Sequence, residues 1–299
     1  MSVSVSDRFA SSLKTVEEVP EPFRHTLLQH LSPQHRVRLL VWGPASKTIR
    51  SKSPATLLTV TNRGWIVVSE TQNDNTAVAH SDFANTLLVE LTSILLCGRL
   101  KIDYIAEDSV QFISIEFNTV MQRLYQEAVQ QLLDGMDDIS ASVPVENRHT
   151  NSLFDMLPFK FRNAVLDFSP RSQMILSVMH LPAIFHERNR WIQHELNPQS
   201  VLVLTERELM LISEEEARSW LLSRRTNKYG SIVTYCPLSR LEGFGLGEHR
   251  QIGSLDLDIR PLQGDEKLRI HFPHKNKLGV SAFMERTMKQ KTDIRCERQ

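Results

Sequence analysis

The chain has 299 residues, of which 41% are hydrophobic and 23% charged, and its 35 basic residues balance 35 acidic ones. This length predicts about two domains, and the zero net charge excludes the overall basic excess that is typical of proteins coating nucleic acid or anionic membranes. The apolar runs fall short of the roughly 20 residues that span a bilayer, and the N-terminal residues lack the pattern of a signal peptide.

Residues 1–22 contain few large apolar side chains and close with Pro20 and Pro22, so we expect a flexible N-terminal tail. A first domain, residues 23–134, then opens with a segment whose apolar residues follow a helical period. A strand at residues 36–43 comes next, and a polar loop leads from it into a second apolar strand.

A short pattern in this second strand occurs again later in the chain. It consists of a Thr, an Arg two positions on, and a Ser-Glu pair after a gap. Its two copies are Thr61, Arg63, Ser69 and Glu70, and Thr205, Arg207, Ser213 and Glu214. Both copies follow a helical segment that ends in Ser-Pro, and both precede a strand that ends in Ile-x-Phe. The repeat predicts two copies of one domain.

The first copy closes with an apolar segment at residues 90–105, a strand at 110–117 and a helix for which Asn118 is placed as the N-cap. When the two copies are aligned, Leu91 falls on Leu238. The helix has a wide apolar stripe that starts at Val120, and this stripe suits it to cover one face of a sheet.

A stretch rich in Ser, Asn and Asp, residues 135–152, predicts a linker between the domains. The second domain, residues 153–290, ends in a helix for which Asn276 is the candidate cap, and residues 291–299 form a C-terminal tail. Between its strands, Glu214 begins a short extra helix. Short strands without regular strand–helix alternation predict a mainly β (α+β) protein with antiparallel sheets.

Four features of the second copy occur together in this order. They are the apolar stretch Leu202–Ile212, the segment Pro237–Leu241, a Gly-rich hairpin and the helix after Phe272; the glycines are Gly243, Gly245, Gly247 and Gly253. Together they resemble the short bacterial pleckstrin-homology-like (PH-like) domains. The first copy has only Gly98 in place of the Gly-rich hairpin. The resemblance implies two tandem bent antiparallel barrels of seven strands, each closed by a C-terminal amphipathic helix.

Members of that superfamily chiefly bind phosphoinositides, peptides or other protein domains, and the resemblance implies a binding function here. In many members the loop joining the first two strands holds an anionic headgroup. The corresponding loop of the first copy contains Lys47, Arg50 and Lys52 and no acidic residue. Three cations can hold one phosphate through charge-assisted hydrogen bonds. The alternative, which we favour, is a basic loop that is simply solvated.

The equivalent loop of the second copy mixes charges of both signs with an aromatic residue. Arg188, Arg190 and Trp191 lie among acidic residues there, a mixture typical of a protein-contact surface. A basic stretch at residues 218–228 lacks the aromatic interleaving of single-strand binders, so we expect no nucleic-acid partner.

The sequence contains no motif for catalysis or metal binding. The glycines of the second copy precede a strand and not a helix, which argues against a phosphate loop. The histidines lack partners at ligand spacing, so we expect no metal site and no cofactor. Cys97 and Cys236 lie in or beside strands, and the absence of C-x-x-C spacing is typical of reduced thiols in a cytoplasmic protein.

We therefore expect a cytoplasmic, non-enzymatic adaptor or ligand-binding protein whose main partner is another protein. The first alternative is a peripheral membrane protein that binds anionic lipid headgroups through Lys47, Arg50 and Lys52. A second alternative is an enzyme whose site no motif reveals. The identity of the partner and the oligomeric state stay open at this point.

Overall fold

The structure is a computed structural model, and it describes residues 9–47, 52–71, 75–137, 153–189, 192–214, 230–249, 251–260 and 268–297. The chain divides into two compact units, residues 1–142 and 143–299. Antiparallel strands are the predominant regular structure of each unit, and a few helices accompany them. The mainly β class expected from the sequence is therefore confirmed.

In the first unit, helices and strands do not alternate regularly along the chain. In chain order its elements are β1 (Ser11–Leu13), α1 (Phe23–His30), β2 (Val37–Gly43), β3 (Ser46–Lys47), β4 (Lys52–Ser53), β5 (Thr56–Thr61), β6 (Gly64–Glu70), β7 (Thr76–Asp82), β8 (Thr86–Ile94), β9 (Cys97–Ala106), β10 (Ser109–Asn118) and α2 (Gln122–Met136). Strands β1, β2, β5, β6 and β7 lie side by side in that order, and each pair is antiparallel. A second antiparallel group consists of β8, β9 and β10.

Strand β5 is buried along its whole length. Its β-branched and apolar residues suit a strand that is covered on both faces. One face belongs to a cluster around α1 that consists of Val19, Phe23, Leu27, Leu40, Ala55, Leu57, Ile66 and Val68. Because side chains alternate along a strand, Trp65 points to the opposite face, where its ring lies edge-on to Tyr104 at a centroid distance of 4.9 Å.

Residues 11–19 differ from the flexible tail that the sequence suggested. Strand β1 pairs with β2, a 3-10 turn follows at Val16–Glu18, and Val19 is 2% exposed within the cluster around α1. These few apolar side chains gain burial against a sheet that is formed by later residues, so the local pattern does not reveal their packing.

Helix α2 closes the first unit and contacts β2, β5, β6 and β8. Its buried face consists of Tyr125, Ala128, Val129, Leu132, Leu133 and Met136. The predicted cap is confirmed, because the side chain of Asn118 accepts a 3.0 Å hydrogen bond from the amide of Val120. Val120 itself is 67% exposed, so the buried stripe begins later than predicted. The helix extends to Met136, two residues into the predicted linker, and residues 138–152 lie outside the described part.

The second unit repeats this order of elements. In chain order they are α3 (Phe159–Phe168), β11 (Ile175–Leu181), β12 (Ile184–Asn189), β13 (Ile192–Asn197), β14 (Ser200–Thr205), β15 (Glu208–Ser213), β16 (Ser231–Pro237), β17 (Leu241–His249), β18 (Ile252–Ile259), β19 (Leu268–Pro273) and α4 (Lys277–Glu297). Strands β11, β14, β15 and β16 pair in that order, as do β17, β18 and β19, and every pair is antiparallel. The extra helix predicted after Glu214 falls at residues outside the described part.

Helix α4 buries Val280, Phe283 and Met284 against the second unit and continues through the region expected to be a C-terminal tail. Leu278, which belonged to the predicted stripe, is 86% exposed. The predicted cap also differs, because Asn276 Oδ1 is buried and has no hydrogen-bond partner among the described residues. None of the helices that the structure describes is both long and apolar enough to cross a membrane.

The contacts correct the alignment of the two copies. The amide of Phe83 donates to the carbonyl of Arg63 at 2.9 Å, and the amide of Leu238 donates to the carbonyl of Arg207 at 2.7 Å. Leu238 therefore corresponds to Phe83 and not to a residue in the middle of β8. The alignment made from the sequence was wrong at this position, because the segment that follows the repeated pattern differs in length between the two copies.

Candidate functional site

The repeated Thr-x-Arg pattern forms the tight turn of a β-hairpin. Between β5 and β6, the Thr61 hydroxyl accepts hydrogen bonds from the amides of Arg63 at 3.2 Å and Gly64 at 3.1 Å. It also donates to the carbonyl of Gly64 at 3.0 Å. The threonine side chain thus makes the hydrogen bonds that a further backbone pair of the ladder would make, as short polar side chains do in turns.

The second copy builds the same turn between β14 and β15. The Thr205 hydroxyl accepts from the amides of Arg207 at 3.3 Å and Glu208 at 2.9 Å. It lies 2.7 Å from Gln173 Oε1, to which it can donate. The equivalence of the two turns extends to individual atoms, which explains why this pattern is repeated in the sequence.

The Ser-Glu pair closes the other end of each hairpin. The Glu70 amide donates to the Ala55 carbonyl at 2.9 Å, and its carboxylate accepts from the Ala55 amide at 3.2 Å. In the second unit, the Glu214 amide donates to the Gln199 carbonyl at 3.3 Å, and its carboxylate accepts from the Gln199 side chain at 2.8 Å. The repeated pattern therefore stabilises a hairpin.

A second repeated pair lies in the last hairpin of each unit. Gly98 is opposite Phe117 in the β9–β10 ladder, and Gly253 is opposite Phe272 in the β18–β19 ladder. A Cβ at either glycine would overlap the ring of the facing phenylalanine. The Phe117 ring is also stacked on Tyr125 of α2 at 3.8 Å. Gly98, which the first copy has in place of the Gly-rich hairpin, is thus the counterpart of Gly253.

Lys47 and Lys52, two of the three basic residues predicted to bind a headgroup, lie on a small hairpin between β2 and β5. Its two strands, β3 and β4, place Lys47 directly opposite Lys52. A hydrogen bond joins the base of this hairpin to β10, because Ser53 Oγ donates to Glu116 Oε2 at 2.5 Å. Arg50, the third predicted residue, lies outside the described residues.

The equivalent connection in the second unit is a longer hairpin formed by β12 and β13. Arg188 lies in β12 at an irregularity of the ladder, and the other two predicted contact residues, Arg190 and Trp191, lie outside the described residues. At the base of the hairpin, Asn197 donates a 3.1 Å hydrogen bond to the carbonyl of His271. In both units, the connection that follows β2 or β11 therefore forms a hairpin. A hydrogen bond joins the base of each hairpin to a later strand.

Exposed apolar residues that the sequence reasoning missed lie on the outer face of α3. Phe159 is 77% exposed, Leu166 is 44% exposed, and Met156, one turn before Phe159, is 87% exposed. The opposite face of α3 is buried through Phe161, Ala164, Val165 and Phe168. A signal was present in the sequence, because α3 contains more large apolar residues than one buried face can accommodate.

Two features that bear on catalysis are the reactivity of the Cys236 thiol and the grouping of side chains that bind metals. Burial, with a smaller contribution from the buried carboxyl of Glu208, raises the pKa of the Cys236 thiol to about 12. A thiol that stays protonated at neutral pH is a poor nucleophile. Within the described ranges, no group of three or more His, Cys, Asp or Glu side chains is arranged to hold a metal ion.

Comparison with protein-family models gives no match for this chain, and comparison with curated proteins gives no significant match.

Proposed function

We propose that this chain is a cytoplasmic, non-enzymatic binding protein that consists of two PH-like modules and acts as an adaptor. The observation that supports this proposal is the repeated order of elements. Each unit has an N-terminal helix, four antiparallel strands interrupted by a hairpin extension, three further antiparallel strands and a C-terminal helix. Seven antiparallel strands followed by a C-terminal helix are the order that the resemblance to PH-like domains implies, whereas the N-terminal helix and the hairpin are additions to it. Modules of that kind chiefly bind other molecules.

A protein partner is favoured by the outer face of α3. Phe159 and Leu166 lie seven residues apart on one side of α3, Met156 precedes the helix by three residues, and all three side chains are exposed to solvent. Large apolar residues grouped in this way are enriched at the centres of protein interfaces. Leu28 of α1, which occupies the position equivalent to Leu166, is 56% exposed and is the single exposed leucine of the shorter helix.

Site-specific photo-crosslinking tests the protein-partner proposal. A photoreactive residue at Phe159 of the full chain should trap one discrete partner from an extract of the source cells, and the same residue at Glu285 of α4 should not. The partner is then purified and titrated against Phe159→Ser/Leu166→Ser, for which we expect at least about a tenfold rise in Kd. Leu28→Ser is the matched control, with an unchanged Kd. Identical trapping from positions 159 and 285, or an unchanged Kd for the double variant, would contradict the proposal.

Anionic lipid is the second candidate ligand, and the β3–β4 pairing favours it. Lys47 and Lys52 occupy directly opposed positions of the β3–β4 ladder, and residues 44–55 contain no acidic residue. Lysine and arginine side chains bind a headgroup phosphate through charge-assisted hydrogen bonds. Vesicles that contain phosphatidylserine should bind the chain at low salt and release it at moderate salt. Lys47→Ala/Arg50→Ala/Lys52→Ala should abolish this salt-sensitive binding; unchanged binding would remove the candidate.

A further inference from the structure

In the first unit, the short strand β1 covers the outer edge of β2. The two strands pair antiparallel, with Ser11, Ser12 and Leu13 opposite Trp42, Val41 and Leu40. The Leu13 side chain packs against the cluster around α1, to which Leu40 belongs. Beside this strand, Leu40 and Val41 are each 1% exposed. Strand β1 thus pairs backbone groups that would otherwise form an open sheet edge.

Strand β11 has the same place in the second unit as β2 has in the first. Val37 of β2 and Ile175 of β11 each lie opposite the threonine of the repeated turn, and an irregularity of the ladder follows each of them. Beyond the irregularity, both ladders are regular to their ends. The three positions that face β1 in the first unit therefore correspond to Val178, Met179 and His180 of β11.

The outer edge of β11 has no such cover. In the part of the chain that the structure describes, β11 is the last strand of its sheet. Residues 176–180 are all half-buried, whereas Leu40 and Val41 are fully buried in the first unit. Helix α4 contacts β11 as α2 contacts β2, so the two edges differ in the strand that covers one of them.

The equivalence of the copies extends into the segment before the first helix. The Val19 amide donates to the Val16 carbonyl at 3.1 Å, and the Leu157 amide donates to the Phe154 carbonyl at 3.0 Å. Counting back from this turn, β1 corresponds to residues 149–151, which are His, Thr and Asn. An asparagine stands where β1 has its leucine, and burying an amide among apolar residues is unfavourable. The second copy therefore lacks the side chain that packs against the cluster in the first.

We propose that β11 binds an extended segment of a protein partner, which adds to it as an antiparallel strand. The segment has the chemistry of β1, with small side chains opposite His180 and Met179 and a large apolar side chain opposite Val178. Strand addition supplies affinity through backbone hydrogen bonds and selectivity through alternate side chains. The inference rests on the proposed protein-binding function and adds a second contact to the exposed residues of α3.

The geometry of a strand edge favours a peptide over other ligands. Its N–H and C=O groups alternate along the strand at a rise of about 3.3 Å per residue, and a second strand matches them with the same repeat. A lipid headgroup or a nucleic acid has no such alternation of donors and acceptors. The first unit shows the arrangement filled, because β1 is an extended segment on the equivalent edge.

Amide hydrogen exchange of the full chain tests whether the edge is open. Strands β5 and β14 are paired on both sides and provide the reference within each unit. Relative to that reference, we expect amides of β11 to exchange at least about tenfold faster than amides of β2, whose outer edge β1 protects. Equal protection of β2 and β11 in the free chain would show that the chain covers this edge itself, and the proposal would be wrong.

A synthetic peptide with the sequence of residues 9–17, which includes β1, serves as the probe for binding. At about 1 mM it should slow exchange in β11 and leave exchange in β2 unchanged. The same peptide with Leu13→Ser is the matched control and should give at least about tenfold weaker protection. No protection by the first peptide, or equal protection by both, would overturn the proposal.

The partner trapped by crosslinking at Phe159 separates this inference from the proposed function. When that partner is bound to the full chain, exchange in β11 should slow. If the partner binds and exchange in β11 stays unchanged, the protein-binding function stands and strand addition is wrong. If no partner is trapped and the peptide still protects β11, the edge stands as a binding site and the contact through α3 falls.

Discussion

Thr59 and Thr61 lie two residues apart in β5, and both hydroxyls are buried. Thr61 organises the turn after β5 through three hydrogen bonds, whereas Thr59 Oγ1 has no hydrogen-bond partner among the residues that the structure describes. An unsatisfied buried hydroxyl is unfavourable, and so is a buried amide that loses its acceptor. The two positions therefore respond in opposite directions to the same substitution.

Thr61→Val should lower the free energy of unfolding by about 1–3 kcal/mol, because two turn amides lose their acceptor. Thr59→Val should leave it unchanged or raise it by about 1 kcal/mol, because a buried hydroxyl without a partner is replaced by a methyl group. Urea denaturation of the two variants measures both effects. A loss of stability in both would show that Thr59 has a hydrogen-bond partner in solution.

The Gly–Phe pairs predict a further contrast at the residue scale. Gly98→Ala and Gly253→Ala should each destabilise their unit by about 1–3 kcal/mol, because the new methyl group overlaps the facing phenylalanine ring in a packed interior. Gly245→Ala is the matched control. Apart from the two neighbours in the chain, no atom of the described residues lies within 4 Å of the added Cβ, and we expect a change within about 0.5 kcal/mol. Thermal denaturation followed by circular dichroism distinguishes these outcomes.

Cys236 makes stability depend on pH in the alkaline range. Burial raises the pKa of its thiol from the model-compound value of 9.0 to about 12. The folded state therefore retains a proton that the unfolded state releases, and the free energy of unfolding falls as pH rises from about 9 to 12, by up to about 1.4 kcal/mol per pH unit. The contribution is fully present below pH 9.

The measurement compares this slope with that of Cys236→Ala, since other groups titrate in the same range. The alkaline slope of the variant should be shallower by that amount. In the unmodified protein at pH 8, a thiol reagent should label Cys97 and Cys296 rapidly and Cys236 only after denaturation. Rapid labelling of all three thiols in the folded protein would refute the burial of Cys236.

At the scale of elements, residues 11–19 contribute a strand to the first sheet and pack against it. Val19 is 2% exposed in the cluster with Phe23 and Leu27. Val19→Ala should reduce the free energy of unfolding by about 1–3 kcal/mol, because apolar contacts are lost and a small cavity remains. Leu28→Ala, at an exposed position of α1, should change it by no more than about 0.5 kcal/mol. Equal effects in chemical denaturation would mean that residues 11–19 are not packed in solution.

The elements around the candidate sites differ in how far the sequence reveals them. The hairpin turns with Thr61 and Thr205 contain short polar side chains that favour turns, so their positions follow from local chemistry. The turn at Leu95 and Leu96 contains no such residue, and the run from Ile94 to Leu96 favours an uninterrupted strand. Only the pairing of β8 with β9 reveals that the chain reverses there.

At the scale of the whole molecule, the two units have diverged in their surfaces more than in their interiors. The basic hairpin β3–β4 belongs to the first unit, and the exposed apolar residues Phe159 and Leu166 belong to the second. If both proposed contacts exist, the molecule is suited to join two different partners.

The two proposed contacts together predict recruitment of the crosslinked protein to vesicles by the full chain. The Lys47→Ala/Arg50→Ala/Lys52→Ala variant should bind that protein normally but fail to bring it to vesicles, because only membrane contact is lost. Phe159→Ser/Leu166→Ser should reach the vesicles without it. Co-flotation of the purified components measures both outcomes. Recruitment by either variant at the level of the unmodified chain would contradict the adaptor proposal.

The sequence by itself determined the mainly β class, the repetition of one pattern and the positions of the main strands. These features depend on local period and on turn chemistry, which act over a few residues. The pairing of Lys47 with Lys52, the burial of Val19 and the exposure of Leu95 and Phe159 were decided only by the tertiary structure. Burial and exposure depend on which distant strands come together, because the same apolar side chain is stabilising under a sheet and costly in water.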